Sequence, residues 1–522
     1  MPQVKTTTPT FVVELPLVLS DNEALLFSKT FEFGRHLYNA TLGTALKHLY
    51  RMREDARWRA ACVMPKGKER NKIFRELQLE YGLTLCGLRT IANDHRVASG
   101  VPLLGAHEAQ NIGKAVWRAI EGYIFKKGGK PRFKSYKRGL NSIEGSDNKE
   151  LIWKPEKQAL QWRNRKQYKV LIKETDYIKA CLADPVNSKQ PRRVKYCRVV
   201  RRKIKGKHYY YLQLVMEGTA PVRHITAPKD ITAGIDPGLG RIAVYSEVGF
   251  GLFELAPHVQ NWDKEIASLQ RAMDRSRRRT NPQNFNADGT IKKPAKGKLE
   301  WKESKHYVQL KNQVAELKRK QAATRKRDLD RLANVIFELG GTLRIEKNSF
   351  KAFQKVFGKS IARRAPGYLI SQIKRKAACA GVEVVELDAR KYRMSQYDFF
   401  TDTYEKKPLS QRWHRLGDTD IYVDRDMMSA YLACYATDKG HDPNLLRKKW
   451  ATAEALLGDA GLCCQTSARS HKNSEQSERK LTRAHAPTGL VLTDKRSIVK
   501  LSVASDSRMG GDALPEKLAN NL

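Results

Sequence analysis

The chain has 522 residues, with 98 Lys and Arg against 55 Asp and Glu, a formal charge of +43. Apolar residues make up 41% of it, which is enough for packed cores, so wholesale disorder is excluded and roughly two to four domains are expected. A folded chain this basic repels itself unless a polyanion neutralises it, which makes nucleic acid the expected partner, while ribosomal and histone-like chains of similar basicity are usually much shorter.

In chain order, Thr10–Leu17 reads as a strand. A helix is expected from Asp21, taken as its N-cap, to about Met52, on the spacing of Leu25, Leu26, Phe31, Leu37, Tyr38, Leu42 and Leu46. A basic helical stretch over about 66–93 and a helix over about 106–123 follow. The texture then changes to a basic loop with interleaved aromatics, carrying Lys130, Arg132, Phe133, Lys134, Tyr136, Lys137 and Arg138. Short strands are expected at about 149–154, 159–163 and 168–173, and a hairpin at about 195–203 and 207–216 around Lys205-Gly206-Lys207.

A second region opens with three closely connected strands, 231–236, 241–246 and 251–255. A helix over about 261–279, a loop over 280–298 and a long basic helix over about 301–339 follow, the last stopping at Gly340-Gly341. A strand (342–346), a helix (367–380), a strand (382–387) and a helix from near Asp426 complete the order β-β-β-α-β-α-β-α, that of an RNase H-like domain. The Ser/Lys/Arg/Gly-rich stretch from about residue 465 is expected to be disordered.

No apolar run approaches the ~20 residues of a membrane-spanning helix, and the start, Met1-Pro2-Gln3-Val4-Lys5-Thr6, has no apolar signal core. None of the eight cysteines pair as C-x-x-C, so neither zinc nor a disulfide framework is expected, and the expected setting is reducing and intracellular.

Three acids stand out as a set. Taken alone, Asp236 in D-P-G is turn punctuation, Glu346 is a polar residue at a strand end, and Asp424 or Asp426 is a helix N-cap. In an RNase H-like layout, the ends of the first and fourth strands lie side by side and the last helix packs against them. Carboxylates converging there repel one another unless a cation is present. Oxygen ligands of this kind suit Mg²⁺, or Mn²⁺. Two such ions roughly 4 Å apart would activate a water and stabilise the leaving oxygen of a phosphodiester.

These residues carry a family resemblance. Gly234-Ile235-Asp236-Pro237-Gly238 resembles the first RuvC motif of TnpB proteins and type V CRISPR effectors. Leu343-Arg344-Ile345-Glu346-Lys347-Asn348 resembles the second, and Asp424-Arg425-Asp426 with Ser429-Ala430 the third, whose family form is D-R-D-x-N-A-A. Arg35-His36-Leu37-Tyr38-Asn39, Gly129-Lys130-Pro131-Arg132-Phe133-Lys134, Ser276-Arg277-Arg278-Arg279 and Tyr392, Met394-Ser395-Gln396 also fall where the family has its motifs. The resemblance spans about residues 10–440.

The resemblance implies an α+β and α/β multidomain protein. A wedge-like β-barrel with an inserted helical recognition part would occupy 1–228. A RuvC, RNase H-like nuclease domain would occupy 229–440 and include a degenerate zinc-ribbon segment at about 395–420. A C-terminal helix would fill 441–464, and the tail 465–522 would be disordered. Asp236, Glu346 and Asp426 would hold Mg²⁺ (or Mn²⁺) and cut DNA. The partners implied are a guide RNA and double- and single-stranded target DNA, with no membrane, in a prokaryotic-type cytoplasm at the nucleoid.

Two departures from the family pattern stand out. Ser395-Gln396-Tyr397-Asp398 stands where S-Q-T-C is expected, and Arg412-Trp413-His414-Arg415-Leu416-Gly417 where C-x-x-C-G is expected, so packing by Trp413 and Leu416 should replace zinc. His414 is then read as a surface or nucleic-acid contact. Met428 occupies the usual Asn position beside Asp426.

Basic runs on helices are commonly solvated faces, but at this net charge many should meet a polyanion. The loop residues Lys130 to Arg138 suit backbone contact plus base stacking, and Arg277, Arg278 and Arg279 are read as further nucleic-acid-binding residues. The leading expectation is an RNA-guided DNA endonuclease. The alternatives are an RNA-guided DNA-binding protein without cleavage and a guide-free RuvC-like nuclease or transposase.

Overall fold

The computed structural model describes residues 8–125, 127–136, 138–146, 149–163, 165–188, 190–221, 228–293, 299–408, 411–465, 489–494 and 497–501. The chain divides into two compact units, Met1–Pro221 and Val222–Leu522.

The first unit begins with strand β1 (Thr10–Pro16) and helix α1 (Asp21–Glu54). The N-cap of α1 is Ser20 rather than Asp21. Its hydroxyl accepts from Glu23 N, and the Glu23 carboxylate accepts from Ser20 N at 3.0 Å, a reciprocal cap that a carboxylate at position 21 does not make. Helices α2 (Ala56–Val63), α3 (Lys68–Glu80), α4 (Leu85–Ala98) and α5 (Ala106–Ile124) follow. The basic stretch over 66–93 is thus two helices, broken at Gly82, whose φ of +63° ends α3, before Thr84 caps α4. Strands β2 (Ser142–Glu144), β3 (Leu151–Lys154), β4 (Ala159–Trp162) and β5 (Lys166–Lys169) lead to helix α6 (Asp176–Leu182). The hairpin β6 (Val194–Ile204) and β7 (Lys207–Glu217) turns through Lys205 and Gly206, both at positive φ, as a tight two-residue turn requires.

These strands do not form the expected barrel. They make an antiparallel four-stranded sheet in the order β1-β7-β6-β2 and a separate three-stranded sheet β3-β4-β5, with no closed barrel among the described residues. Strands β3 to β5 pair with one another, and β1 meets them only at its end, where Leu17 bridges Val170, Leu171 N donates to Pro16 O and Val18 N donates to Lys169 O, each at 2.9 Å. One aromatic cluster ties the sheets to α1. Phe27 meets Trp162 and Tyr168 edge-on at 4.9 Å and Tyr210 at 5.1 Å.

Glu108 is buried in this core at the start of α5. It accepts from Gly105 N at 2.5 Å and from Trp162 Nε1. Burial, reinforced by the Glu150 charge, pushes its carboxyl up to about 7. The folded group therefore holds its proton more tightly than the unfolded one. That stability is fully present below the unfolded value near 4.5 and is lost as pH rises through about 7. Wild-type protein should lose a few kcal/mol of unfolding free energy across that interval, on the order of 1.4 kcal/mol for each tenfold difference in proton affinity between the folded and unfolded carboxyl. Glu108→Gln should show a much flatter profile; equal slopes in denaturant titrations would refute the assignment.

The second unit opens with a meander of β8 (Thr232–Pro237), β9 (Arg241–Ser246) and β10 (Gly249–Glu254). Helices α7 (Asp263–Thr280) and α8 (Lys305–Phe337) pack on each other. Strand β11 (Thr342–Lys347), helices α9 (Phe350–Arg364) and α10 (Pro366–Ala380), strand β12 (Glu383–Asp388) and helix α11 (Ala389–Tyr392) come next. Short strands β13 (Tyr397–Asp398), β14 (Thr403–Tyr404), β15 (Trp413–Arg415) and β16 (Ile421–Asp424) precede helices α12 (Arg425–Tyr435) and α13 (Pro443–Asp459) and strand β17 (Cys463–Gln465).

The main sheet has the order β12-β11-β8-β9-β10-β18-β19, where β18 is Gly489–Asp494 and β19 is Ser497–Leu501. Strands β8, β11 and β12 run parallel, and the meander is antiparallel. Both faces are covered. Along β9, Ala243 and Tyr245 face the core that holds Tyr431 and Met428 of α12, while Ile242 and Val244 face the core that holds Ile336 of α8 and Ile373 of α10. Burial on both sides explains why Ile242 to Tyr245 reads as a continuous apolar run.

The stretch expected to be a disordered tail supplies β18 and β19. They form an antiparallel hairpin, and β18 pairs with β10. Polar composition averaged over 465–522 conceals a local run, Gly489-Leu490-Val491-Leu492-Thr493, that suits a strand. Residues 466–488, 495–496 and 502–522 lie outside the described residues.

Candidate active site and nucleic-acid interface

Strands β8 and β11 are parallel neighbours in register up to Ile235 and Ile345. Asp236 and Glu346 are the next residue of each, still paired on their other sides with Ala243 of β9 and Leu387 of β12, so they stand side by side at the same end of the sheet. Asn348 links these two ends, donating its Nδ2 to Glu346 Oε2 at 3.2 Å and to Pro237 O at 3.4 Å. Asp426 comes from the first turn of α12. That helix lies against β8 at Gly234, where an added Cβ would stand 2.0 Å from Ala430 O and 2.2 Å from Cys434 N. Arg344 holds the far end of α12 by donating to Cys434 O at 2.9 Å.

The three sequence-predicted acids therefore converge. Burial, then the charges of Asp426 and Glu346, hold the Asp236 carboxyl well above the usual carboxylate range. Burial raises Glu346 as well. Asp426 behaves oppositely: burial opposes its ionisation, but Arg241 and then Arg425 outweigh burial and leave it below the usual value. Asp424 is the N-cap of α12, its Oδ1 accepting from Asp426 N at 3.0 Å and Met427 N at 3.2 Å. Met428 is buried in the core beneath α12.

The donors fit a divalent cation in part. Asp236 and Glu346 are adjacent carboxylates whose mutual repulsion a cation would relieve. Asp426 is already surrounded. Arg241 donates Nε to its Oδ2 at 2.7 Å and Nη2 to Asp424 Oδ2 at 2.9 Å. Arg425 donates to Asp426 Oδ1 at 3.2 Å, and Arg412 Nη1 stands 3.6 Å from Oδ2. Among the described residues, no three His, Cys, Asp or Glu side chains are grouped so as to hold a metal ion. Arg241 and Arg412 escape sequence reasoning because they reach Asp426 only through pairing: β9 beside β8 under α12 for Arg241, and β15 beside β16 for Arg412.

In the first unit, Lys130, Arg132, Phe133, Tyr136 and Arg138 are exposed, Tyr136 at 78%. Lys137 lies outside the described residues. Gly129, Lys130, Pro131 and Arg132 line an open cavity of about 540 Å³. Two of the sequence motifs meet here. Asn39 accepts from Lys134 N at 2.8 Å and donates to Lys134 O at 2.9 Å, and Arg35 donates to the same carbonyl at 3.1 Å. The Lys134 ammonium sits 4.6 Å over the Tyr38 ring, where burial lowers its pKa. Lys134 thus anchors the loop, and its neighbours point outward. In the second unit, Arg277 lies 3.6 Å over the Trp301 ring, and Arg278 binds Asp274 and Gly289 O, whereas Arg279 is exposed.

The segment 395–417 is held without cysteine. Buried Asp398 accepts from Phe400 N at 2.9 Å and from Gly417 N at 2.7 Å. Trp413 and Leu416 are buried as expected, and Tyr397 stacks on His441 at 4.3 Å. His414 is not a surface contact: it is 3% exposed, and burial lowers its pKa to about 3. Asp398→Ala should cost about 1–3 kcal/mol, the scale of buried N–H groups left unpaired. A chelator should leave the wild-type melting temperature unchanged, and elemental analysis finding one zinc per chain would overturn this account.

The sequence matches no protein-family model and no curated protein. Solved structures similar to the chain include a Cas12f1–sgRNA–target DNA complex, at 12% identity and a TM-score of 0.41, covering 81% of this chain and 98% of that one. A CRISPR-Cas12f ternary complex is similar at 12% identity and a TM-score of 0.24, covering 79% and 84%. A Cas12i–crRNA–dsDNA complex is similar at 10% identity and a TM-score of 0.25, covering 89% and 68%.

Proposed function

We propose that the protein is an RNA-guided DNA endonuclease resembling TnpB and type V CRISPR effectors. The convergence of Asp236, Glu346 and Asp426 at two strand ends and a helix start carries this reading. The sheet order β10-β9-β8-β11-β12 supports it, because an RNase H-like nuclease builds its site on that arrangement. Asp236 and Glu346 would hold the divalent cation, with Asp426 as a further ligand. When bound, Mg²⁺ would activate water and stabilise the leaving oxygen of the phosphodiester.

The exposed loop residues Lys130, Arg132, Phe133, Tyr136 and Arg138 combine charge with two aromatic faces, which suits an RNA or DNA backbone with unstacked bases. Arg279 adds a further exposed cation in the second unit. Base pairing by a guide would supply sequence choice. Among the described residues, no helix is long and apolar enough to cross a membrane.

A second reading, guide-directed DNA binding without cleavage, draws on the three guanidiniums around Asp426. Sequencing the RNA that copurifies with the protein tests both. A defined structured RNA supports them; random fragments would favour a guide-free nuclease. Cutting of matched DNA with Mg²⁺ then separates the first reading from the second.

A further inference from the structure

The arginines around Asp426 call for a role. Arg241 bridges two carboxylates that belong to different tasks. Asp424 caps α12 through its Oδ1 and would need a partner for Oδ2 in any case. Asp426 is the acid placed toward Asp236, and Arg241 occupies its Oδ2 at 2.7 Å. Ion pairing thus occupies Asp424 and Asp426, while Asp236 and Glu346 stand side by side on the adjacent parallel strands β8 and β11. A cation drawn to Asp236 and Glu346 can take Asp426 Oδ2 as a ligand only if the Arg241 Nε gives it up.

We propose that Arg241 is a positioning residue that competes with the divalent cation for Asp426, and that a nucleic-acid phosphate releases it. The Arg241 side chain is 27% exposed on the strand next to β8, so a route to solvent is open. A phosphodiester arriving at the acids offers the guanidinium a two-pronged anionic partner of the kind it binds well. Moving Arg241 from carboxylate to phosphate frees an acid ligand when substrate is in place. Cation binding and DNA binding then strengthen each other, as linkage requires. This rests on the nuclease reading for the identity of the ligands.

The test is Mn²⁺ binding to the full-length protein, followed by electron paramagnetic resonance. The site-specific component is the part lost on Asp236→Ala in the same background. Arg241→Gln should tighten that component about tenfold, the scale of one charge-assisted bond no longer in competition. It should also abolish most of the gain in Mn²⁺ affinity that a DNA duplex gives the wild type. Arg241→Lys keeps the charge but loses the two-pronged bond, so it should tighten Mn²⁺ binding by a smaller factor, and it decides the matter if the Gln variant does not fold. Unchanged or weaker Mn²⁺ binding in the folded variants would overturn the proposal. Tightening without cleavage of any guide-matched DNA would leave it standing and sink the nuclease reading instead.

Discussion

Asp236→Ala or Asp426→Ala should reduce guide-directed cleavage by several orders of magnitude while guide-dependent DNA binding persists. Under the proposed function these acids would hold the cation, whereas the exposed basic and aromatic residues that would grip nucleic acid lie on other elements. Asp424→Ala should behave differently. Its Oδ1 accepts two backbone N–H groups at the start of α12, and its Oδ2 is bound to Arg241. Losing that cap should lower stability by roughly 1–2 kcal/mol and leave measurable cutting. The assay is cleavage of matched DNA with excess Mg²⁺, alongside filter binding with Ca²⁺ in its place. A dead Asp424→Ala beside an active Asp426→Ala would reverse the assignment, and equal loss of binding and cutting would refute the division of labour.

Gly234→Val should leave the second unit unable to fold, and Gly234→Ala should destabilise it by about 3 kcal/mol or more. A Cβ at this position meets backbone atoms of α12, Ala430 O and Cys434 N, and the helix cannot step aside without losing its contacts with β8 and β9. Because α12 carries Asp426, any surviving protein should also lose cleavage. Gly358→Ala in α9 is the control, since an added Cβ there meets nothing within 4 Å. It should be neutral or slightly stabilising, as replacing a helical glycine usually is. Circular dichroism and denaturant midpoints decide the comparison, and a Gly234→Val protein with a wild-type midpoint would contradict the packing.

The second unit is well legible in the sequence because β9 and β10 are continuous apolar runs, β11 alternates Leu343 and Ile345 with polar residues, and α10 and α12 keep helical spacing. Strands at 231–236, 241–246, 342–346 and 382–387, and the helix beginning near Asp426, correspond to β8, β9, β11, β12 and α12. The convergence of Asp236, Glu346 and Asp426 follows from that order. What stays hidden depends on contacts between distant residues. The Arg241 bridge needs β9 paired beside β8 and α12 laid across them. The loop anchor at Lys134 needs α1 beside residues nearly a hundred positions later. Helix α9 escapes a sequence reading because none of its residues is buried, so its apolar spacing has no core to report. The barrel expectation comes from resemblance, and the pairing of β3, β4 and β5 with one another decides against it.

The hairpin of β18 and β19 gives the main sheet a dependence on its most distant residues. Strand β10 has β9 on one side and β18 on the other. Before Gly489 is present, the outer side of β10 is an open row of backbone donors and acceptors, the kind of surface on which a second chain can add a strand. A chain cut short ahead of β18 would keep every proposed catalytic acid and still be prone to edge-to-edge association. Its failure would then be colloidal, a loss of soluble monomer over time, while the chemistry of each intact molecule remained.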